Sequence, residues 1–183
     1  MTRAEFNIDL IKIHWIENCD DPDDRCVHGK VRVKIGNEIV ADNTDDINDW
    51  WTLSAMALHL LRTLETEHTE NNPVAQCLIP GEGHHINYNE KDFSVHIETA
   101  YPMVRGCNWW VTHSEKNITF ETENGYITSI PFQTYKEEIL AFVDKIENFY
   151  KTSSPKNLPI DKYDREGYLK FWNEWHTRRN KWN

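Results

Sequence analysis

The chain has 183 residues and a formal net charge of −10, from 30 Asp and Glu against 20 Lys and Arg. Its hydrophobic content of 39 % and eight tryptophans supply the bulk of a real core, which predicts one folded domain over residues 1–183 rather than a disordered chain. The acid excess argues against nucleic acid and anionic membrane as partners, and no apolar run approaches the roughly 18 residues of a membrane span.

Residues 4–18 alternate through Phe6, Ile8 and Leu10, then through Ile11, Ile13 and Trp15. The slip at Leu10-Ile11 predicts a strand with a bulge. The same stretch lacks the apolar run of a signal peptide, so a soluble, cytoplasmic protein is expected, with Cys19, Cys26, Cys77 and Cys107 as free thiols. Val31, Val33 and Ile35 alternate with Arg32 and Lys34 as a half-buried strand, and Gly36-Asn37 turns the chain back into Ile39-Val40. Residues 49–67 carry Trp50, Leu53, Ala57, Leu60 and Leu64 at helical spacing, with Thr52, His59 and Thr63 on a polar stripe. Residues 69–92 read as irregular, broken by Asn71-Asn72-Pro73 and Pro80-Gly81-Glu82-Gly83.

Strands follow at Phe93-Val95-Ile97, at Trp109-Trp110-Val111 and over 117–123 and 126–130, the last two joined at Asn124-Gly125 by an expected type I′ turn. A helix is predicted over 134–151, with Tyr135, Ile139, Phe142, Ile146 and Phe149 inward. Another is predicted over 162–179, with Tyr168, Phe171, Trp172 and Trp175 inward. Hairpin connections between strands, followed by helices, indicate an α+β fold with a mainly antiparallel sheet and about three helices.

The charge is unevenly placed. Residues 1–70 hold 15 acidic and 7 basic residues, a net of −8, while the remainder carries −2. Acid gathers in two knots: Asp20, Asp21, Asp23 and Asp24, then Asp42, Asp45, Asp46 and Asp49. Such an end attracts a basic protein surface. Part of the second knot has another reading, as favourable charge at the start of the 49–67 helix. The first knot lacks the glycine and the terminal glutamate of an EF-hand loop, and its bland reading is a solvated loop that guards a sheet edge. One residue of the adjacent pair Trp109-Trp110 must face away from the core. Asp20, Asp21, Asp23, Asp24, Asp45 and Asp46 are thus the candidate contacts with a basic partner, and Trp51 and Trp109 the candidate aromatic anchors.

The sequence holds no G-x-S-x-G elbow, no phosphate loop and no HExxH or CxxC pattern. The alternative to a binding role is a small metal-binding protein or enzyme built on the His84-His85 loop, completed by His96, His113, Cys77 or Cys107. No catalytic residue, cofactor or metal is expected on the preferred reading. The basic C-terminal run around Arg178-Arg179 is consistent with simple stabilisation of a helix end.

The stretch Trp51-Thr52-Leu53-Ser54-Ala55-Met56-Ala57-Leu58-His59-Leu60-Leu61-Arg62-Thr63-Leu64, together with His68-Thr69, Leu78-Ile79-Pro80 and Trp110-Val111-Thr112-His113, resembles uncharacterised bacterial proteins of this size with no assigned enzymatic role. In its small size, acidity and tryptophan content the chain also loosely resembles the immunity proteins of bacterial polymorphic and contact-dependent toxin systems. That likeness implies a non-enzymatic inhibitor that binds a basic toxin domain and occludes its active site. It rests on character and assigns no residues.

Overall fold

A computed structural model describes residues 5–45, 51–81, 85–98 and 106–182. The chain is α+β. In order it forms β1 (Phe6–His14), a 3-10 turn (Ile16–Asn18), β2 (His28–Ile35), β3 (Glu38–Asp42), β4 (Trp51–Thr52), α1 (Leu53–Thr63), β5 (His85–Tyr88) and β6 (Val95–Glu98). It continues with β7 (Trp109–His113), β8 (Asn117–Thr122), β9 (Ile127–Pro131), α2 (Phe132–Thr152) and α3 (Lys162–Asn180). The strands divide into three antiparallel sheets: β1-β2-β3 with β4 against β2, then β5-β6, then β7-β8-β9.

Local chemistry accounts for the joints. The register of β1 on β2 shifts between Leu10 and Lys12, a bulge with Phe6 and Ile8 buried on one side of it and Trp15 on the other, while Ile11 at the bulge is left exposed. Gly36 closes the next hairpin at φ +58°. At the β8–β9 hairpin only Gly125 has positive φ (+77°), and its N–H donates to the Thr122 carbonyl while Thr122 N–H donates to the Tyr126 carbonyl. That is a three-residue loop ending in a left-handed glycine, not the expected type I′ turn, which needs positive φ at Asn124 as well.

The core gathers the inner faces of the β1–β3 and β7–β9 sheets, the helix α1 and one stripe of α2. Every one of the eleven residues of α1 is buried, including His59 (1 % exposed) and Thr63. The expected polar stripe of this helix therefore does not face solvent. Helix α2 lies against it, and Thr63 Oγ1 is 2.8 Å from the Tyr135 hydroxyl. The helix is also shorter than its periodicity implied, because Trp51-Thr52 bridges to β2 at His28. No acidic residue occupies its first turn, Asp42 ends β3 instead, and Asp46, Asp49 and Trp50 lie outside the described residues.

On the opposite side of α1, Arg62 forms a buried fork to Glu174 of α3, with Nε 2.7 Å from Oε1 and Nη2 2.9 Å from Oε2. Among the described residues no helix is long and apolar enough to cross a membrane.

Candidate functional site

The first acidic knot sits in the connection between β1 and β2, and the structure shows what most of its carboxylates face. Asp20 Oδ1 accepts from Lys156 Nζ at 2.8 Å, and its Oδ2 accepts from the Ser154 N–H at 2.7 Å. Asp24 accepts the N–H groups of Ile16 (2.6 Å) and Cys26 (3.2 Å). Asp23 accepts from Arg25 Nη2 (3.3 Å) and Asn157 Nδ2 (3.2 Å), while Asp21 Oδ1 accepts the Asp23 N–H. Lys156 lies with its ammonium 3.4 Å from the centroid of the Trp15 ring and also donates to the Asp21 carbonyl. The aliphatic stem and the ring exclude water from one side of the ion pair, so the charge is held by a carboxylate, a carbonyl and an aromatic face together. The Asp20 carboxyl is accordingly held below its ordinary value, first by the Lys156 hydrogen bond and then by the Ser154 amide.

This loop is thus clasped to the 153–160 linker between α2 and α3. Two consecutive non-glycine residues, Glu17 and Asn18, take φ of 55° beside it, a strained conformation that surrounding contacts must hold. Nothing in the spacing of the sequence pairs Asp20 with a lysine 136 residues away. Lys156, Ser154 and Asn157 were missed because a Pro-punctuated linker carries no periodic signal.

Below the loop a cleft of ≈ 340 Å³ opens between the loop, β5 and the start of α3. Asp23, Asp24, Arg25 and Cys26 form one wall, His85 and Ile86 of β5 another, and Asp164 and Tyr168 of α3 the third. The structure therefore brings together residues of both sequence-level readings: two of the candidate acidic contacts and the second histidine of the His84-His85 pair. His85 is exposed, and His84 lies outside the described residues. Burial pushes the Cys26 thiol far up, with the Asp24 charge adding to the effect, so at neutral pH it is a protonated thiol and not a nucleophile. Tyr168 is raised as well, again chiefly by burial. The cleft offers several carboxylates, one hydroxyl and one guanidinium around an apolar floor, an arrangement suited to holding a polar or cationic side chain. Among the described residues no group of three or more His, Cys, Asp or Glu is placed to hold a metal ion.

The two aromatic anchors require correction. Trp109 is fully buried on the inner face of β7, 6.3 Å from the Phe6 ring, and Trp51 is 7 % exposed where β4 bridges to β2. Neither presents a surface to a partner. Strand parity leaves Trp110 as the outward member of the pair, and its ring stacks on His68 at 5.1 Å. Asp45 is exposed and adds its charge to the Asp42 contacts that hold Arg32, whereas Asp46 falls outside the described residues.

Comparison with known proteins finds no matching family model, curated protein or solved structure, so the reading of function rests on these residues alone.

Proposed function

We propose that the protein is a non-enzymatic inhibitor that binds a basic protein partner, most concretely an immunity protein that neutralises a basic toxin domain by occluding its active site. The observation that carries this reading is the charge asymmetry, −8 of the −10 within residues 1–70. A potential of that sign steers a basic surface toward the acidic end and disfavours nucleic acid. The clasped loop supports it in a second way. A binding surface held rigid before encounter loses less conformational entropy on association. Asp21 and Asp45 are the exposed carboxylates of the candidate set for which no cation lies within ion-pair distance among the described residues.

The test is affinity capture with the tagged full chain from native lysate at low and high salt, read by mass spectrometry. One basic protein retained stoichiometrically and released by salt supports the reading. With that protein purified, the Asp21→Asn/Asp45→Asn variant should associate more slowly, with a shallower salt dependence. Unchanged association rates would overturn the steering mechanism.

A second reading is a small metal-binding protein or enzyme built on the His84-His85 loop. His85 lines the cleft with Asp23, Asp24 and Asp164, which suits a polar small molecule, while a metal would need His84 as well. Elemental analysis of untagged protein separates the two. Stoichiometric zinc or iron, lost in His84→Ala or His85→Ala, would favour the second.

A further inference from the structure

The outer face of the β7-β8-β9 sheet is not covered by any described element. Register sets two rows across it: Trp110, Glu121 and Ile127, then Thr112, Thr119 and Ser129. Ile127 is 62 % exposed, and Thr119 Oγ1 and Ser129 Oγ lie 2.7 Å apart, each meeting the other's hydrogen-bonding need. The turn after α1 brings Thr69 and Glu70 to the end of the rows, because His68 bridges to Val111 through two 2.8 Å backbone hydrogen bonds. Together they enclose a groove of ≈ 270 Å³. Glu70 and Glu121 are both exposed at this groove, and no ion pair to either exists among the described residues. The His68 ring stacked on Trp110 fixes the indole's position.

We infer that this groove seats an arginine or lysine side chain of a basic protein segment, with its cation against the Trp110 indole and between the Glu70 and Glu121 carboxylates. The inference rests on the basic-partner reading and places a second contact away from the acidic loop. Charge complementarity selects the occupant. An indole face attracts a cation through its quadrupole, and two unneutralised carboxylates beside it add attraction of the same sign. An acidic or neutral segment would gain neither.

The experiment is NMR titration of the full chain with acetylated tetra-arginine amide, with tetra-glutamate amide as control. The Trp110 indole N–H and the Glu121 and Ile127 amides are the reporters. Saturable shifts at these positions with the basic peptide alone are expected. Binding about fivefold to tenfold weaker in Glu70→Gln/Glu121→Gln, the range for two solvent-exposed charge pairs, and in Trp110→Ala, would establish the site. The double glutamine variant alters only exposed carboxylates and should leave the remaining spectrum intact, whereas Trp110→Ala also uncovers the buried His68 ring, so the double variant decides the test. Shifts confined to residues 20–24 would overturn this site and leave the basic-partner reading standing, whereas no saturable shift anywhere would overturn both. The same shifts on raising protein concentration without peptide would assign the face to a second copy of the chain, and that too would overturn the proposal.

Discussion

Replacing Glu174 with Gln removes a buried charge on which two arginines converge. The carboxylate accepts four hydrogen bonds: Arg62 Nε at 2.7 Å, Arg62 Nη2 at 2.9 Å, Arg178 Nε at 2.8 Å and the Val95 N–H at 2.8 Å. Its side chain is 0 % exposed and that of Arg62 is 7 % exposed, so neither is stabilised by water. Glutamine keeps the shape and one acceptor, but its amide group turns N–H donors toward a guanidinium. Removing one partner of such a pair costs about 3–5 kcal/mol, because the other charge stays buried without its counter-ion. For a chain of this size about 2–4 °C of Tm is lost per kcal/mol, so Glu174→Gln should lower Tm by roughly 6–20 °C. Glu65→Gln, a part-exposed neighbour that holds Arg178 and Lys181, should cost about 1 kcal/mol or less.

The pH profile adds an independent check. Burial pushes Glu174 up, but the Arg62 contacts, the Val95 amide and Arg178 outweigh it, and the group sits below its ordinary 4.5. A carboxyl depressed on folding gives stability that is present above its unfolded value and lost as pH falls through the folded one. The wild type should therefore weaken below pH 4.5 more steeply than Glu174→Gln. A Tm loss under about 2 °C in urea- and heat-unfolding experiments, or parallel acid limbs, would refute the reasoning.

Two further changes probe other buried groups. Lys156→Met keeps the stem on Trp15 but removes the cation from Asp20, and should speed amide exchange and proteolysis across residues 19–25 without altering exchange in α1; equal protection in the variant would deny the clasp. His59 is held far below its ordinary 6.5, by burial first and then by the Arg62 charge. Its contribution is full above pH 6.5 and lost as pH falls below it, so His59→Gln should flatten the stability profile between pH 6.5 and 5 measured by urea unfolding.

The alternating and helical periods of this sequence are local, and the elements they mark are present: the bulged β1, the β8–β9 hairpin, α2 and α3. What escaped was decided by packing from a distance. The polar stripe of α1 reads as a surface, yet the helix is enclosed on all sides, and Thr63 finds the Tyr135 hydroxyl 72 residues on. Trp109 and Trp110 are identical to any residue scale. Their fates were set by which parity of β7 meets Phe6, a fact that belongs to tertiary contact. Strand β5 was hidden in a segment rich in breakers, and among the described residues its four residues pair only with β6. Of the candidate contacts, the acidic loop was visible as charge but not as architecture.

That distinction bears on how the acidity can act. Asp20 beside Lys156 and Asp23 beside Arg25 form local dipoles whose fields fall off quickly, while the net charge of the molecule is felt out to about a Debye length, roughly 8 Å at physiological salt. Neutralising Asp20 and neutralising Asp21 therefore remove the same unit of net charge and should slow the encounter with a basic partner equally. They differ afterwards. Asp20→Asn frees the Lys156 cation and loosens the loop, so a complex with a basic partner seated there should dissociate faster, whereas Asp21→Asn leaves the clasp intact. Matching association rates with diverging dissociation rates would show that the knot serves two purposes, steering through its charge and rigidity through its partners.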